Sequence, residues 1–302
     1  MKKSLPIPVI LDTDIGTDID DTFALIMGLN SPEIDFKLIT TATGDTAYRT
    51  LLVAKILKEC GRMDIPIGTG IFQTWPEEHC NQKSWIGNFT LSQYAGVILK
   101  NGVDAIIETV RSSQDPITLL CIGPLTNIGA VLEKAPELAE KCHFVGMFGA
   151  IDSGIEGQKP VTPEYNIIKD LSAAKKVFSA SWKSATITPL DSCATPLFNG
   201  ERFKKLMNSN SPRAKVLAEN ILSWNSQKKW GPGYSLAESL TPYDAVALYM
   251  TYAVEFLEFK EMRIGITPSG ITCRDPTGKK FKVAMSWRNS EAYLDHLLKR
   301  LL

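Results

Sequence analysis

The sequence lacks the features that mark membrane proteins, nucleic-acid-binding proteins and disordered chains. Its 302 residues contain no apolar run near the roughly 18 residues that a transmembrane helix needs. Lys plus Arg number 33 and Asp plus Glu number 33, so no excess positive charge favours binding to nucleic acid or to an anionic membrane. Glycine (21) and proline (17) are near average usage, which excludes collagen-like and disordered classes. These absences indicate an ordinary globular protein with no electrostatic reason to bind nucleic acid or an anionic membrane.

Cysteine pairs with metal-binding or redox spacing are also missing. None of the six cysteines forms a CxxC pair, and no Cys/His cluster has the spacing of a zinc site. We therefore interpret all six as reduced thiols, which predicts a cytoplasmic protein. The first apolar stretch reaches Asp12 too soon for a signal peptide, which is consistent with that prediction.

Short apolar runs alternate with helical patterns from the N-terminus to about residue 190. The runs 7–11, 117–122 and 143–147 have the near-continuous apolar character of strands that are buried on both faces. This rhythm predicts an α/β fold with an open, mostly parallel central sheet and helices on both faces. No linker or repeat interrupts it, so we predict a single domain over residues 1–302. The active site is expected at the carboxyl ends of the strands.

An aspartate cluster directly follows the first predicted strand and precedes a helix. Five carboxylates fall within residues 12–21, and no Lys or Arg lies between positions 3 and 37. Mutually repelling anions need a cation nearby, and hard carboxylate oxygens favour calcium or magnesium. Several carboxylates converging from one loop favour calcium. A helix start rich in acids explains Asp18 and one of Asp20 or Asp21, but it does not explain Asp12 and Asp14 at the strand end.

Six segments of the chain together resemble the inosine-uridine-preferring nucleoside hydrolase family. The aspartate cluster resembles the family's N-terminal fingerprint, DxDxGxDDxxAL, except for two extra residues between Gly16 and the Asp pair, which leave Asp18 unassigned. The other five segments follow in the family's order. They are Thr41 with Gly44-Asp45, Gly123-Pro124-Leu125-Thr126-Asn127, Met147-Phe148-Gly149-Ala150, Glu164-Tyr165-Asn166-Ile167 with Asp170, and Tyr243-Asp244-Ala245.

The resemblance implies a calcium site that also activates water. Asp14 would be a calcium ligand and the general base that takes a proton from water. Asp21 would be a second ligand, Thr126 would bind calcium through its backbone carbonyl, and Asp244 would be the last protein ligand. Calcium would hold the ribose hydroxyls and lower the pKa of the bound water. The implied activity is hydrolysis of ribonucleosides to free base and ribose.

The same resemblance implies the residues that bind the sugar. Asp20, Glu164 and Asn166 would form hydrogen bonds with ribose hydroxyls, and Asp12 would orient the loop. Cleavage of an N-ribosidic bond builds positive charge on the sugar, and a ring of carboxylates stabilises such charge. Relatives in this family are often dimers or tetramers, so a homodimer or homotetramer is expected.

The chain departs from the family pattern around the base. Tyr243 stands where purine-cleaving members carry a His that protonates the leaving group, and a phenol is poorly matched to that task at neutral pH. Asp45 stands where Asn is common, which adds negative charge near the substrate. Trp85, Trp230 and Tyr234 are candidates for stacking on the base, and an equally simple role for each is to anchor a loop.

Two other functions remain open from the sequence. The first is a calcium-dependent binding protein for sugars or nucleosides, related to the family but without its leaving-group acid. The second is a haloacid-dehalogenase-like phosphatase, with Asp12 as nucleophile, Asp14 as acid and magnesium as cofactor. Gly16 occupies the Thr position that this phosphatase motif requires, and no later strand ends in paired aspartates, which disfavours it.

Overall fold

A computed structural model describes residues 5–74, 79–227 and 239–302 of the chain. The strands are β1 (Ile7–Thr13), β2 (Ile34–Thr41), β3 (Ile67–Thr69), β4 (Ile98–Leu99), β5 (Ile117–Cys121), β6 (Cys142–Met147), β7 (Ser184–Thr188), β8 (Phe198–Asn199), β9 (Ser239–Leu240), β10 (Leu257–Ile266), β11 (Thr272–Arg274) and β12 (Lys279–Trp287). The helices are α1 (Asp20–Leu29), α2 (Thr46–Glu59), α3 (Lys83–Ile86), α4 (Gly102–Ser112), α5 (Thr126–Lys134), α6 (Tyr165–Ile168), α7 (Leu171–Ser179), α8 (Leu190–Cys193), α9 (Gly200–Met207), α10 (Pro212–Gln227), α11 (Tyr243–Tyr252) and α12 (Ser290–Leu301).

Ten of the strands form one open sheet in the order β11-β10-β12-β7-β6-β5-β1-β2-β3-β4. The pairs from β7 to β4 are all parallel, whereas β10 pairs antiparallel with both β11 and β12. Strand β12 returns parallel to β7, so the antiparallel strands extend one edge of the parallel sheet. The prediction of an open, mostly parallel α/β fold is confirmed. The prediction of one domain over 1–302 stays a prediction.

Helices cover both faces of this sheet. Along β1, Val9 and Leu11 are fully buried in one apolar cluster, whose other members come largely from α1, α2, α11 and α12. Ile10 points the other way, into a second cluster built largely from α4, α5 and α7. Full burial of each such side chain contributes about 1.5–3 kcal/mol. The continuous apolar character of the strand thus follows from burial on its two sides.

The strand order reverses at β1, which lies between β2 and β5. The chain winds outward from β1 through β2, β3 and β4 on one side, and through β5, β6 and β7 on the other. A crevice opens at the carboxyl end of such a central strand, and ligands of open α/β sheets bind there. The loop after β1, which carries the aspartate cluster, therefore occupies the expected position of an active site.

The helices themselves are short. The longest, α10, has 16 residues, whereas a membrane-spanning helix needs about 20. Within the ranges that the structure describes, no helix has both the length and the apolar character required to cross a membrane.

Candidate active site

Carboxylates from three parts of the chain line one cavity at the carboxyl end of β1. The cavity has a volume of about 230 Å³. The Thr13 hydroxyl at the end of β1 donates a hydrogen bond to the Asp21 carboxylate in the first turn of α1, which ties the strand end to the helix start. The described residues that line the cavity are Asp14, Thr17, Asp18, Asp20, Asp21, Ile122, Met147, Ile155, Glu164, Tyr165, Asn166, Leu190, Tyr243 and Asp244.

Asp20, Asp21 and Asp244 form the tightest acidic group in this cavity. Each offers one carboxylate oxygen, and these oxygens lie within 4.8 Å of one another. The group exists because α11, which begins at Tyr243, packs against α1. Burial is the main cause that raises the pKa of all three carboxyls well above the usual range, and repulsion from neighbouring carboxylates, Asp14 among them, adds to it. Buried anions at this separation need a positive partner, and a hard divalent cation fits oxygen donors of this kind.

Asp14 lies beside this group and is 5% exposed. Burial raises the pKa of its carboxyl to about 6, and the Arg49 guanidinium opposes that rise. A carboxyl tuned upward toward neutrality suits a general base, because it accepts a proton more readily than an ordinary Asp. The two predicted ligands Asp21 and Asp244 are thus brought together, with Asp14 lining the same cavity.

The predicted ligand Thr126 lies at the start of α5, in a turn that packs against the acidic loop. In this turn a Cβ at Gly123 would come within 2.7 Å of the Asp14 backbone nitrogen, so the position requires glycine. The Thr126 hydroxyl accepts a hydrogen bond of 3.4 Å from Gln73. Thr126 is not among the described residues lining the cavity, and calcium binding by its carbonyl stays a prediction.

Asp12 lies beneath the cavity and joins three segments of the fold. Its Oδ1 accepts hydrogen bonds from the Thr40 hydroxyl (2.5 Å) on β2 and from the Asn127 side chain (2.8 Å) on α5. Its Oδ2 is buried and makes no hydrogen bond to any described residue. Burial raises the pKa of this carboxyl to about 7. The expected role of orienting the loop agrees with these contacts.

Glu164 and Asn166 fix the far wall of the cavity. Glu164 caps α6 by accepting hydrogen bonds from the backbone N–H groups of Asn166 (2.7 Å) and Ile167 (3.2 Å), and it also accepts one from Gly149 (3.1 Å). The Asn166 amide donates to the carbonyls that follow β5 and end β6, at Ile122 (3.1 Å) and Met147 (3.2 Å). Both side chains are 5% exposed, so they are held rigidly where they meet the cavity.

Arg49 is a structural feature of the site that the sequence did not reveal. This α2 residue is 2% exposed, and its guanidinium donates to the backbone carbonyls of Asp14, Ile15 (2.8 Å) and Thr43 (2.7 Å). It also donates to the Thr17 hydroxyl at 2.9 Å. Arg49 therefore ties the loop after β1 to the loop after β2. A lone Arg in a helix gives no sign of burial in a sequence, because such residues are usually exposed.

A second brace holds the middle of the acidic loop. The Tyr48 hydroxyl donates to the Gly16 carbonyl (3.2 Å) and accepts from the Gln82 backbone N–H (3.0 Å). Gly16 has φ +108°, and a Cβ there would lie 2.6 Å from the Tyr48 ring. The position therefore requires glycine for both its backbone conformation and its close approach to the ring.

Part of the cavity wall is apolar or aromatic, and most of these wall residues were not predicted from the sequence. The unpredicted wall residues are Ile122, Met147, Ile155, Tyr165 and Leu190. Tyr165 lies between two predicted site residues, which is a local signal that was available from the sequence. Tyr243 also lines the cavity, as its predicted role requires, and burial raises the pKa of its phenol to about 12.

Two predicted substrate contacts, Trp85 and Asp45, are not among the described residues that line the cavity. Trp85 is not among the described residues lining the cavity: its indole N–H donates to Glu219 on α10 (2.9 Å), and the Lys55 ammonium lies 4.2 Å from its ring centroid. These contacts anchor its loop, and stacking on the base stays a prediction. Asp45 caps α2 by accepting from the Tyr48 backbone N–H at 3.0 Å, so it acts in helix capping. The other two stacking candidates, Trp230 and Tyr234, lie outside the described residues.

Replacing Asp45 with Ala tests the capping role. Loss of an N-cap should lower the free energy of unfolding by about 0.5–2 kcal/mol, with little change in kcat, because the side chain does not line the cavity. Urea denaturation measures the first quantity and a steady-state assay the second. Asp45→Ser, which can still cap, serves as the control. A large loss of kcat at unchanged stability would instead return Asp45 to the substrate site.

Comparison with known proteins decides the family. Residues 9–293 match the family model described as inosine-uridine preferring nucleoside hydrolase. The chain belongs to this family. The resemblance drawn from the sequence motifs is thereby confirmed, and so is the prediction of an N-glycosyl hydrolase.

Nucleoside hydrolases are also the relatives found by sequence and by structure. The chain is 32% identical over 238 residues to the pyrimidine-specific ribonucleoside hydrolase RihA of Photobacterium profundum, covering 74% of each chain. Among solved structures, a plant nucleoside hydrolase, PpNRh1, superposes with a TM-score of 0.84 at 20% identity, covering 98% of this chain and 99% of that one. The purine-preferring ribonucleoside hydrolase of Gardnerella vaginalis gives 0.80 at 21% identity, covering 97% and 98%. At these identities the structural matches establish the shared fold.

Proposed function

We propose that this nucleoside hydrolase cleaves the N-glycosidic bond of ribonucleosides in a calcium-dependent reaction, with Asp14 as the base that activates water. The observation that carries the proposal is the convergence of Asp20, Asp21 and Asp244 within 4.8 Å, in the same cavity as Asp14. Two of these three side chains come from the start of the chain and the third comes from α11, so the fold itself assembles the oxygen donors.

The donor set supports calcium as the metal. Asp14, Asp21, Asp244 and the Thr126 carbonyl would hold the ion, and Asp20 lies close enough to contribute. Such a set of oxygens, without nitrogen or sulfur, suits a hard cation that accepts many protein ligands. When bound, the ion would supply a positive charge that lowers the pKa of water, and it would bind vicinal hydroxyls of the ribose.

Residues of this chain carry the remaining steps. Asp14 removes a proton from water while the water oxygen forms a bond to C1′ of the ribose. The bond between C1′ and the base nitrogen breaks at the same time, and its electron pair goes to the base. Positive charge grows on the sugar meanwhile, and the surrounding carboxylates stabilise it. Asp20, Glu164 and Asn166 bind the ribose hydroxyls and hold the sugar in place for attack.

A panel of nucleosides tests this function. The full chain and calcium are incubated with uridine, cytidine, inosine, guanosine or the O-riboside 4-nitrophenyl riboside. Release of the base, or of 4-nitrophenolate, is followed by absorbance and chromatography. We expect release from at least the nitrophenyl riboside, because its leaving group needs no proton. Binding of ribosides without turnover of any of them would refute the hydrolase proposal and favour a binding protein.

Metal exchange tests the calcium assignment. After treatment with EDTA and desalting, activity should fall to background, because the buried carboxylates lose the charge that opposes their repulsion. Calcium should then restore at least about threefold more activity than magnesium at equal concentration, since it accepts more protein oxygens. Titration of each metal against initial rate gives the comparison. Better recovery with magnesium would contradict the assignment.

We also propose a cytoplasmic homo-oligomer, a homodimer or a homotetramer, that acts on a small-molecule ribonucleoside. All six cysteines are free thiols, which supports a reducing compartment. Membership of the family supports self-association. Light scattering of the purified chain, coupled to gel filtration, distinguishes one, two and four copies.

A further inference from the structure

The cavity lacks an imidazole. The chain has three histidines, His79, His143 and His296, and none of them lines the cavity. His143 bonds to Ser184 (2.7 Å) near the start of β6, and His296 bonds to Tyr252 (2.8 Å) on α11. The residues outside the described ranges contain no histidine either. A neutral nucleobase leaving this site therefore meets no histidine on the described wall.

Basic side chains are likewise missing from the described cavity wall. Arg49 and Lys169 act on Asp14 through their charge, yet neither is among the lining residues. Six carboxylates do line the cavity, from Asp14, Asp18, Asp20, Asp21, Glu164 and Asp244. A divalent cation offsets two of these charges. The wall therefore favours a substrate that brings positive charge of its own.

Asp18 is the carboxylate that the ligand and ribose roles leave unassigned. It sits in the two residues by which the acidic loop exceeds the family fingerprint. It lines the cavity, and its charge acts on Asp14, on Asp20 and on the Tyr243 phenol.

The backbone around Asp18 is held in place from outside the loop. The Gln82 side chain donates to the Asp18 carbonyl (3.2 Å), and the Asn81 side chain donates to the Thr17 carbonyl (2.6 Å). The Asp18 carboxylate itself accepts a hydrogen bond from the Ile19 backbone N–H (2.8 Å), and its field acts on a base that occupies the cavity.

We propose that the enzyme prefers N-ribosides whose base is already cationic, such as pyridinium ribosides and N7-alkylated purine ribosides, and that Asp18 is the residue that selects them. The proposal rests on the hydrolase function above. It follows from two observations: the site holds no imidazole acid, and the extra loop residues add a carboxylate. The Tyr243 ring on the wall is also able to receive a cationic ring, whereas the Lys169 ammonium already lies 5.1 Å from the Tyr165 ring centroid.

The balance of the reaction differs between cationic and neutral substrates. In both, the water oxygen bonds to C1′ and its proton goes to Asp14, while the electron pair of the breaking C1′–N bond passes to the ring nitrogen. A quaternised base then leaves as a neutral molecule and needs no proton. A neutral base leaves as an anion unless a proton reaches it, and the carboxylate wall repels that anion.

The test compares nicotinamide riboside, a pyridinium cation, with the neutral 4-nitrophenyl riboside, in the wild type and in Asp18→Asn. The readout is the ratio of their kcat/KM values, because differences in spontaneous leaving ability cancel when the ratio is compared between variants. We expect Asp18→Asn to lower this ratio about tenfold, because the Asp18 charge attracts the pyridinium ring but repels the departing 4-nitrophenolate. Asp104→Asn, at an exposed position on α4, should leave the ratio unchanged.

A second measurement needs no variant. For the wild type, raising KCl from about 20 to about 500 mM should increase KM for nicotinamide riboside about threefold or more, with a smaller change for the nitrophenyl riboside, because salt screens the attraction. An unchanged ratio in Asp18→Asn, or equal salt responses, would overturn the preference. If the wild type hydrolyses neither riboside with calcium present, the proposed hydrolase function is refuted. This outcome differs from the two that overturn the preference, in both of which the ribosides are still hydrolysed.

Discussion

Replacing Asp14 with Asn should lower kcat by about 10²–10⁴-fold while the protein keeps its fold. Asn has nearly the same shape as Asp, but its amide cannot take a proton from water. Burial raises the pKa of the Asp14 carboxyl to about 6, so the folded protein carries its ionised form at a cost in stability. The variant should therefore be at least as stable as the wild type in metal-free buffer.

Two measurements separate this result from simple damage. Steady-state rates with 4-nitrophenyl riboside give kcat, and thermal unfolding in EDTA gives Tm for both proteins. A raised folded-state pKa means that ionisation destabilises the fold as pH rises through the range between about 3.8 and about 6, so the gain in Tm should be present at pH 7 and absent at pH 3.5. Near-normal kcat in Asp14→Asn would remove the base assignment.

Replacing Arg49 with Met should lower the free energy of unfolding by about 3–5 kcal/mol and reduce kcat at least about tenfold. The guanidinium is the donor for the backbone carbonyls of Asp14, Ile15 and Thr43, and each of these residues is buried. Each carbonyl left without a partner costs about 1–3 kcal/mol. Because the first of them belongs to the proposed base, its carboxylate should also lose its fixed orientation.

Arg49→Lys distinguishes charge from geometry. Lysine keeps the positive charge but cannot donate in several directions from a planar group. It should therefore recover less than half of the lost stability, measured by urea denaturation, with Glu59→Gln on the exposed side of α2 as the control. Recovery of kcat by added guanidinium ions in Arg49→Ala would support a direct positioning role. Full activity in Arg49→Met would show that the loop holds its shape without this side chain.

The sequence was informative where the signal is local. The alternation of apolar runs and helical patterns predicted a mostly parallel sheet, in which the runs 7–11, 117–122 and 143–147 correspond to β1, β5 and β6, and the cluster at residues 12–21 predicted the acidic end of β1. The contribution of Asp244 to the same metal site as this cluster was predicted only by the resemblance to a family. More than 200 residues separate this side chain from the cluster, and only the packing of α11 on α1 brings them together.

The roles of other residues could not be predicted, because one sequence pattern is compatible with two structural environments. A tryptophan that stacks on a substrate and one that anchors a loop look alike in a sequence, and Trp85 makes the contacts of a loop anchor in the structure. Arg49 looked like an ordinary helix residue, since its burial depends on two loops that meet only in the folded chain. Asp45 is different, because an Asp directly before a helix is a known capping signal. In the structure Asp45 forms this helix cap.

The central position of β1 has a consequence for how the enzyme inactivates. A strand paired on both sides and covered on both faces exchanges its amide hydrogens only when the whole sheet opens, whereas edge strands such as β4 and β11 exchange through local fraying. The acidic loop that begins the proposed site thus follows directly after one of the most protected segments of the chain. Partial denaturation should spare catalysis, and activity should vanish together with the global cooperative transition.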